Sequence, residues 1–345
     1  MNSPLSFLDS LDPASRDLLL SAATPVSFVA GATLVRHGDL ARGAYVVRAG
    51  TVEAEVTQPG GEKLVVAKLG PGSVFGEMAL IELGTCTANV RATAPVDGWF
   101  LSNEDFRALV SQRSAAAIGL QHAVTVMLAG KLAALNAQLL ACVAPEDRAA
   151  RKLAQGVDPL AGVSRSRRPT FDAAAFLPRL PFFEHFSSDE IDEVVACGSY
   201  VEAPRGQPIF AVGGPPASAF IVVRGAAEIV HTNGDCERRV AVLGPGQLIG
   251  YLAVLSERPH GAHAVARESA LLLEIPARAF REIYLGDRAV STRLRAAVQK
   301  SLLASMARTN RALTRLLSQA RLAAATQEGK TLEAAYHGQL TAAAD

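Results

Sequence analysis

The chain repeats itself once, and this repeat limits its possible folds more than any other feature of the sequence. Similar blocks recur at a constant offset of 174 to 175 residues: Phe7–Leu11 with Phe182–Phe186, Ala30–Leu34 with Arg205–Ile209, Ala44–Gly50 with Ala219–Gly225, and Leu69–Gly72 with Leu243–Gly246. A constant offset indicates a duplicated domain. The length of 345 residues fits two domains of ordinary size, and a composition of 49% apolar and 19% charged residues is globular.

Within each copy the pattern predicts short strands separated by turns. Thr51–Val56 alternates apolar and polar residues, as a half-buried strand does, and Gln58–Glu62 reads as a hairpin turn. Ala227–Val230 and the turn Asn233–Asp235 repeat this hairpin in the second copy. Many short strands punctuated by glycine and proline predict a sandwich or a roll.

A long helix is predicted after each set of strands. The first carries an apolar seam at spacings of three and four, and so does the second: Val124, Leu128, Leu132, Leu135, Leu139 and Val143, then Val290, Leu294, Val298, Leu302, Met306, Leu313 and Leu317. A seam this long should pair with another helix, within the chain or between chains. We therefore expect a first domain over 1–143, a linker over 144–175, a second domain over 176–325 and a flexible tail over 326–345.

The run Leu69–Leu80 predicts a site for a phosphate joined to a sugar. Gly70, Gly72 and Gly76 relax the backbone ahead of a helical turn, where free N–H groups can meet an anion. Glu77 stands beside them, and an acid at an anion site is best explained by a hydroxyl partner.

The run Phe75–Leu80, followed by Thr87–Ala92, resembles the phosphate-binding cassette of cyclic-nucleotide-binding domains, as found in regulatory subunits of cyclic-AMP-dependent kinases and in bacterial catabolite-activator-type regulators. The resemblance implies two β-rolls of jelly-roll type, each followed by a helix. It implies that the glutamate binds the ribose 2′-hydroxyl, that an arginine binds the cyclic phosphate, and that cyclic AMP or cyclic GMP is the ligand. The site residues expected in the first roll are Gly76, Glu77, Met78, Ala79, Cys86, Thr87 and Ala88.

Cys86 occupies the position of that arginine. A thiol replaces two charge-assisted hydrogen bonds with one weak donor, so binding should weaken by about ten- to a hundredfold. Arg91 is an odd number of residues away and should point to the opposite face of a strand. Cys86 itself reads as a packed cysteine, with a thiol sensor as the alternative.

The second cassette has lost more of its binding residues. Tyr251 stands where the glutamate would be and His260 where the arginine would be. We expect a vestigial site, with Tyr251 filling the pocket: Gly250, Tyr251, Leu252, His260 and Gly261.

The remaining features exclude several other functions. The sequence contains no catalytic constellation and no metal-ligand spacing, and its four cysteines form no CxxC pair, so neither an enzyme nor a metal site is expected. A net charge of +1 argues against a nucleic-acid binder. Lys131 and Asn136 interrupt the most apolar stretch, and the start of the sequence has no signal-peptide pattern, so the expectation is a cytoplasmic protein without a transmembrane segment.

Two basic segments complete the sequence. Arg167-Arg168-Pro169-Thr170 resembles a basophilic kinase substrate or pseudosubstrate motif, although a charge run of this kind is usually a solvated linker. Residues 288–330 carry nine Lys or Arg against one acid, and such a basic helix suits an acidic partner, an anionic lipid surface or nucleic acid.

Three functions remain open from the sequence. The first is a regulatory sensor that binds a nucleotide weakly in its first roll. The second is a ligand-independent assembly or scaffold protein that forms a homo-oligomer, or binds a partner protein, through the long helices. The third is a transcriptional regulator of the activator type, for which no DNA-binding module is recognisable.

Overall fold

The computed structural model of the chain describes residues 7–57, 63–141, 159–160, 163–167, 172–233 and 236–322. Two units hold these residues. The first contains the described residues up to Leu128 and those from Leu313 onward, and the second runs from Ala129 to Ala312. The unit boundaries fall inside the long helices, whereas the sequence analysis set the domain limits at residues 143 and 175. The predicted tail over 326–345 lies outside the described residues.

The first unit contains the first roll. It opens with a 3-10 turn at Phe7–Ser10 and with helix α1 (Pro13–Ala22). Asp12 caps α1 by accepting a 3.0 Å hydrogen bond from the Ser15 backbone N–H. The strands that follow are β1 (Thr24–Phe28), β2 (Thr33–Val35), β3 (Gly43–Ala49), β4 (Val52–Thr57), β5 (Lys63–Leu69), β6 (Val74–Phe75), β7 (Asn89–Ala92) and β8 (Val96–Ser102). The helices are α2 (Met78–Ile81), α3 (Asn103–Ser111) and the start of α4 (Ala115–Ala141).

Two antiparallel four-stranded sheets build this roll, in the orders β1-β8-β3-β6 and β2-β7-β4-β5. Val47, Phe75 and Val96 from the first sheet and Val52 and Val90 from the second share one buried core. The predicted hairpin turn over residues 58–62 lies outside the described residues, but the strands on either side of it pair directly.

The second unit repeats this arrangement. Its strands are β9 (Arg165–Ser166), β10 (Ser199–Ala203), β11 (Pro208–Phe210), β12 (Ser218–Arg224), β13 (Ala227–Asn233), β14 (Cys236–Leu243), β15 (Leu248–Ile249), β16 (His263–Ala266) and β17 (Ala270–Pro276). Its helices are α5 (Ala173–Phe176), α6 (Ser188–Ala196), α7 (Tyr251–Ser256), α8 (Ala277–Leu285) and most of α9 (Ala289–Leu322), with 3-10 turns at Leu177–Arg179 and Pro181–Phe183.

The sheets of the second roll are ordered β9-β10-β17-β12-β15 and β11-β16-β13-β14. The duplication extends to strand register, because the Tyr45–Phe75 pair of the first roll recurs as Phe220–Ile249. The prediction of a mainly β protein with two rolls, each followed by a long helix, is confirmed.

Most of the predicted apolar seam of each long helix is buried, whereas Leu135 is half-buried and the side chains of Val143 and Leu317 lie outside the described residues. Val124, Leu128, Leu132 and Leu139 of α4 are at most 4% exposed. On α9 the same is true of Val290, Leu294, Val298, Leu302 and Met306, while Leu313 is 6% exposed. Judged by length and composition, α4 is the one helix among the described residues that could cross a membrane.

The two long helices contact each other within the second unit. Thr309 on α9 donates a 3.0 Å hydrogen bond from its hydroxyl to the side-chain oxygen of Asn136 on α4. Both side chains are buried, at 7% and 8% exposure. The two long helices therefore meet at this point inside one chain, and pairing along the seams stays a prediction.

Helix α9 also holds a buried arginine that the sequence analysis counted as part of a basic surface. Arg295 is 2% exposed, and its Nη1 donates to the backbone oxygens of Tyr284 at 2.6 Å and Gly286 at 2.7 Å. These oxygens lie at the end of α8, where carbonyls lack a partner within the helix. Arg295 thus caps α8 and is not available to an acidic partner.

Part of the predicted linker joins the second roll. Arg165 and Ser166 form β9, which pairs with β10, and Arg165 forms a 2.8 Å ion pair with Glu274. The basic motif continues into residues 168–171, which lie outside the described residues.

Candidate functional site

The first roll keeps the glycine that its cassette requires. Gly76 follows β6 with a φ of +75°, and a Cβ atom there would lie 2.6 Å from the backbone oxygen of Gly43. Only glycine satisfies both the positive φ and the close approach. The backbone at Gly76 is therefore not covered by a side chain of its own.

The helical turn after Gly76 is short and is tied to the rest of the roll. Helix α2 has four residues, and Glu77 at its N-terminus is 6% exposed. Asn103 donates from its side-chain nitrogen to the backbone oxygens of Ala79 at 2.5 Å and Leu80 at 3.1 Å. These bonds satisfy two carbonyls at the end of the turn and fix it against α3.

A cavity of about 640 Å³ opens beside Gly76. Its wall includes Cys86, the aromatic residues Tyr45 and Phe100, and three charged residues, Arg36, Asp39 and Arg42. Tyr45 stacks on Phe75, with ring centroids 4.9 Å apart. The cavity has the size of a small-molecule pocket.

The structure brings only part of the expected site to this cavity. Gly76 and Cys86 border it, whereas the other expected residues are not part of its wall: Glu77, Met78, Ala79, Thr87 and Ala88. Glu77 and Ala79 are buried, Met78 and Ala88 are half-buried, and Thr87 is exposed. A role for these five residues in binding stays a prediction.

Cys86 is held in the cavity wall by its backbone. Its N–H donates to the Asp39 oxygen at 2.8 Å, and its own oxygen accepts from the Gly38 N–H at 2.9 Å. Burial raises the pKa of the Cys86 thiol, and the nearby Asp39 carboxylate raises it further. A raised pKa reduces the thiolate fraction, so the environment disfavours the thiol-sensor alternative.

Arg36 and Arg42 are the residues that the sequence analysis missed. They are the first and last residues of the loop between β2 and β3, and they are distant from the cassette in sequence. The repeat contained a usable signal, because the corresponding residues of the second copy, Ala211 and Ala217, are uncharged.

Arg91 lies elsewhere, as its odd spacing from Cys86 predicted. It donates from Nε to the Gly31 oxygen at 3.1 Å and borders a separate cavity of about 280 Å³ with Glu53 and Glu55. It does not form part of the wall around Gly76.

In the second roll, Tyr251 does not fill the pocket, and that expectation was wrong. Its ring packs in the core formed with α8 and α9, which includes Tyr284 and Leu294. Burial raises the pKa of its hydroxyl, which lies beside Ser305 and Arg308 of α9. Tyr251 faces the helices because it opens α7, and this helix packs against α8.

His260 and Phe210 occupy the space over the second cassette instead. Their rings stack with centroids 4.0 Å apart and an angle of 11° between the planes. A Cβ atom on Gly250 would lie 3.3 Å from the Phe210 ring and 3.6 Å from the His260 ring. By the repeat, Phe210 corresponds to Val35 and His260 to Cys86, so two larger rings stand where the first roll has its cavity. The neighbouring Leu252 is half-buried and Gly261 is exposed.

We expect the second roll to lose stability as the pH falls from about 6.5 to about 4. Burial lowers the pKa of His260 from 6.5 to about 4, so the unfolded chain binds the proton first and stability rises with pH across this window. The loss should be on the order of 2 kcal/mol, discounted for solvent screening. Unfolding in urea across this pH range measures it.

A variant without the titrating ring isolates this effect. His260→Phe keeps an aromatic ring over Phe210 and should flatten the pH dependence, leaving the smaller slope from His231, whose pKa burial also lowers. An unchanged slope would assign the effect to other groups.

No group of His, Cys, Asp and Glu among the described residues could hold a metal ion. Of the four cysteines, Cys86 and Cys197 are free and half-buried within the described part of the chain. Burial raises the pKa of Cys197, as it does for Cys86.

Two known proteins are similar to this chain in sequence. The chain is 33% identical over 156 residues to the cyclic AMP receptor protein of Thermus thermophilus, covering 44% of this chain and 70% of that protein. It is 25% identical over 264 residues to the cAMP-dependent protein kinase regulatory subunit of Mycosarcoma maydis, covering 73% of this chain and 40% of that subunit. The chain thus spans less than half of the length of this second relative.

Two solved structures match the chain as follows. The regulatory domain of Toxoplasma gondii PKA with cAMP matches at 21% identity, over 86% of this chain and 91% of that one, with a TM-score of 0.32. The N-terminal domain of a transcriptional regulator from Streptomyces coelicolor A3(2) matches at 28% identity, over 35% of this chain and 90% of that one, with a TM-score of 0.33.

One family model matches both rolls. The model of the cyclic nucleotide-binding domain matches residues 25–113 and 200–287, which together make up just over half of the chain. The two matched stretches contain the cassettes described above, the open one beside Gly76 and the closed one over Gly250. The chain therefore belongs to the cyclic nucleotide-binding domain family and carries two copies of that domain.

Proposed function

We propose that this chain is a non-enzymatic regulatory sensor in which the first roll alone binds a cyclic nucleotide, cyclic AMP or cyclic GMP. The observation that carries the proposal is the contrast between the two cassettes. Beside Gly76 there is a cavity of about 640 Å³, and over Gly250 the rings of Phe210 and His260 are stacked. A regulatory role agrees with the family of the two domains.

The second roll acts in this proposal as a structural partner of the helices. Tyr251 and Leu255 belong to the core that also contains residues of α8 and α9. A roll whose cassette is built into such a core supports the long helices without a ligand. The helices are then the surface through which a second copy or a partner protein would be engaged.

A calorimetric titration of the full chain tests the proposal. Titration with cyclic AMP, and separately with cyclic GMP, should give one bound nucleotide per chain for at least one of them. Two per chain would contradict the closed second roll. No heat with either nucleotide at millimolar concentration would refute nucleotide binding.

The binding site can be identified by introducing the two stacked rings of the second roll into the first roll by substitution. Val35→Phe combined with Cys86→His places the second roll's two rings beside Gly76 and should abolish the titration heat. Val29→Phe is the matched control, because Val29 is 76% exposed and outside the cavity wall. Circular dichroism checks that both variants fold; binding that persists in the closed variant would place the nucleotide elsewhere.

The scaffold alternative is favoured by one observation, the absence of a guanidinium at residue 86. It predicts that self-association of the purified chain is the same with and without nucleotide. Analytical ultracentrifugation with and without cyclic AMP distinguishes the scaffold from the sensor, since a sensor changes its association or shape on binding.

A further inference from the structure

Two arginines that the cassette does not supply line the first cavity. Arg36 follows β2 and Arg42 precedes β3, and both line the cavity together with Gly76 and Cys86. Each is anchored by its backbone: the Arg36 oxygen accepts from the Asp39 N–H at 3.2 Å, and the Arg42 oxygen accepts from the Asn103 N–H at 2.8 Å. These bonds fix the backbone of both arginines at the two ends of the loop between β2 and β3.

Both guanidinium groups are available to a ligand. Arg36 and Arg42 are exposed, and neither forms a side-chain hydrogen bond or an ion pair with another residue in the described part of the chain. This contrasts with Arg91, bonded to Gly31, and with Arg48, which pairs with Asp97 at 3.8 Å.

The duplicated domain provides an internal comparison. The corresponding residues of the second roll are Ala211 and Ala217. The roll with an open cavity has two arginines in its wall, and the roll closed by Phe210 and His260 has none at these positions. The two arginines are thus found in the roll that has space for a ligand, and the roll without that space has alanines at the corresponding positions.

The charge of the wall favours an anion. Asp39 is the acidic residue among those that line the cavity, so two cations face one carboxylate. A guanidinium offers a planar fork of donors that matches phosphate oxygens, and it stays charged at any physiological pH. Tyr45 and Phe100, whose ring centroids lie 4.8 Å apart, add an aromatic surface to the same wall.

We propose that Arg36 and Arg42 form the anion clamp of the first roll and hold the phosphate that residue 86 cannot hold. The inference rests on the proposed function for the identity of the ligand, a cyclic nucleotide, and on the cavity wall for the clamp itself. It accounts for an open cavity that has lost the cassette arginine: the phosphate is bound from the loop between β2 and β3.

Calorimetry on single variants of the full chain tests the clamp with the ligand present. Arg36→Ala and Arg42→Ala should each weaken cyclic AMP or cyclic GMP binding by about five- to tenfold, since each removes a charged donor in an exposed wall. Arg107→Ala is the matched control: it removes the same charge from an exposed position on α3, outside the cavity. Affinity that is equal in all three variants and the parent would overturn the clamp.

A second measurement needs no nucleotide. Cys86 lies in the same wall, so its alkylation rate reports the local potential. Iodoacetate is an anion and iodoacetamide is neutral, and mass spectrometry of the Cys86 peptide gives the ratio of their rates at alkaline pH. Because any change in the thiol pKa affects both reagents equally, the ratio isolates the charge of the wall.

The double variant Arg36→Ala/Arg42→Ala should lower the iodoacetate to iodoacetamide ratio about fivefold at low ionic strength, and much less at high salt. An unchanged ratio would overturn the clamp whether or not a nucleotide binds. A lowered ratio in a chain that binds neither nucleotide would support the clamp and refute the proposed ligand, so the two proposals fail separately.

Discussion

Replacement of Cys86 by arginine should raise the affinity of the first roll for a cyclic nucleotide by about ten- to a hundredfold. Residue 86 lies in the wall of the same cavity as Gly76, and its backbone is fixed by hydrogen bonds to Gly38 and Asp39. A new guanidinium there would add charged hydrogen bonds worth about 1.5–3 kcal/mol to a bound phosphate. Calorimetric titration of Cys86→Arg against the parent measures the gain.

Two variants at the same position separate charge from geometry. Cys86→Lys adds the charge without the planar fork and should gain less than arginine. Cys86→Ser changes the size little and should gain nothing. The neighbouring Asp39 carboxylate will hold part of the new charge, so Asp39→Asn in the arginine variant should raise the affinity further. If the arginine variant binds no better than the serine variant, the site has lost more than its cassette arginine.

Replacement of Arg295 by alanine should destabilise the second unit by about 3–5 kcal/mol. The substitution leaves two carbonyls at the end of α8, those of Tyr284 and Gly286, without their charged donor, and it empties the volume of a side chain that is 2% exposed. A loss of this size should lower the melting temperature by about 10 °C or more. Thermal unfolding and hydrogen exchange of the α8 amides measure it.

Two controls identify the cause. Arg295→Met fills most of the same volume without donors, so it should keep the packing and lose the capping bonds. Arg293→Ala removes a charge from an exposed position two residues earlier and should change stability by at most about 0.5 kcal/mol. A methionine variant as stable as the parent would show that α8 does not depend on these bonds.

The fold could be predicted because it depends on two periodic features of the sequence, the repeat of the domain and the helical spacing of apolar residues. The offset between the two copies recurs in the structure as equal strand registers, and most of each helical seam is buried where the spacing predicted. Gly76 was recognisable from the cassette pattern, and the structure explains the glycine by its positive φ and its close approach to Gly43. The repeat, the helical spacing and the cassette are patterns that the sequence carries directly.

The walls of the two cavities were harder to predict because they depend on contacts between distant residues. The closing of the second cassette was attributed to Tyr251, but the stacked rings are those of His260 and Phe210, which are 50 residues apart. Arg42 was not recognised at all, and Arg295 was counted as part of a basic surface although it is 2% exposed. Comparing Val35 with Phe210 and Arg42 with Ala217 across the repeat would have identified both rolls' distinguishing residues.

The hydrogen bond between Asn136 and Thr309 determines how far the two long helices can slide. A shift of one helix along the other by one turn would move Thr309 away from Asn136. The same shift would separate two buried polar groups, and each lost partner costs about 1–3 kcal/mol. The buried pair therefore favours one axial register at the point where α4 and α9 meet.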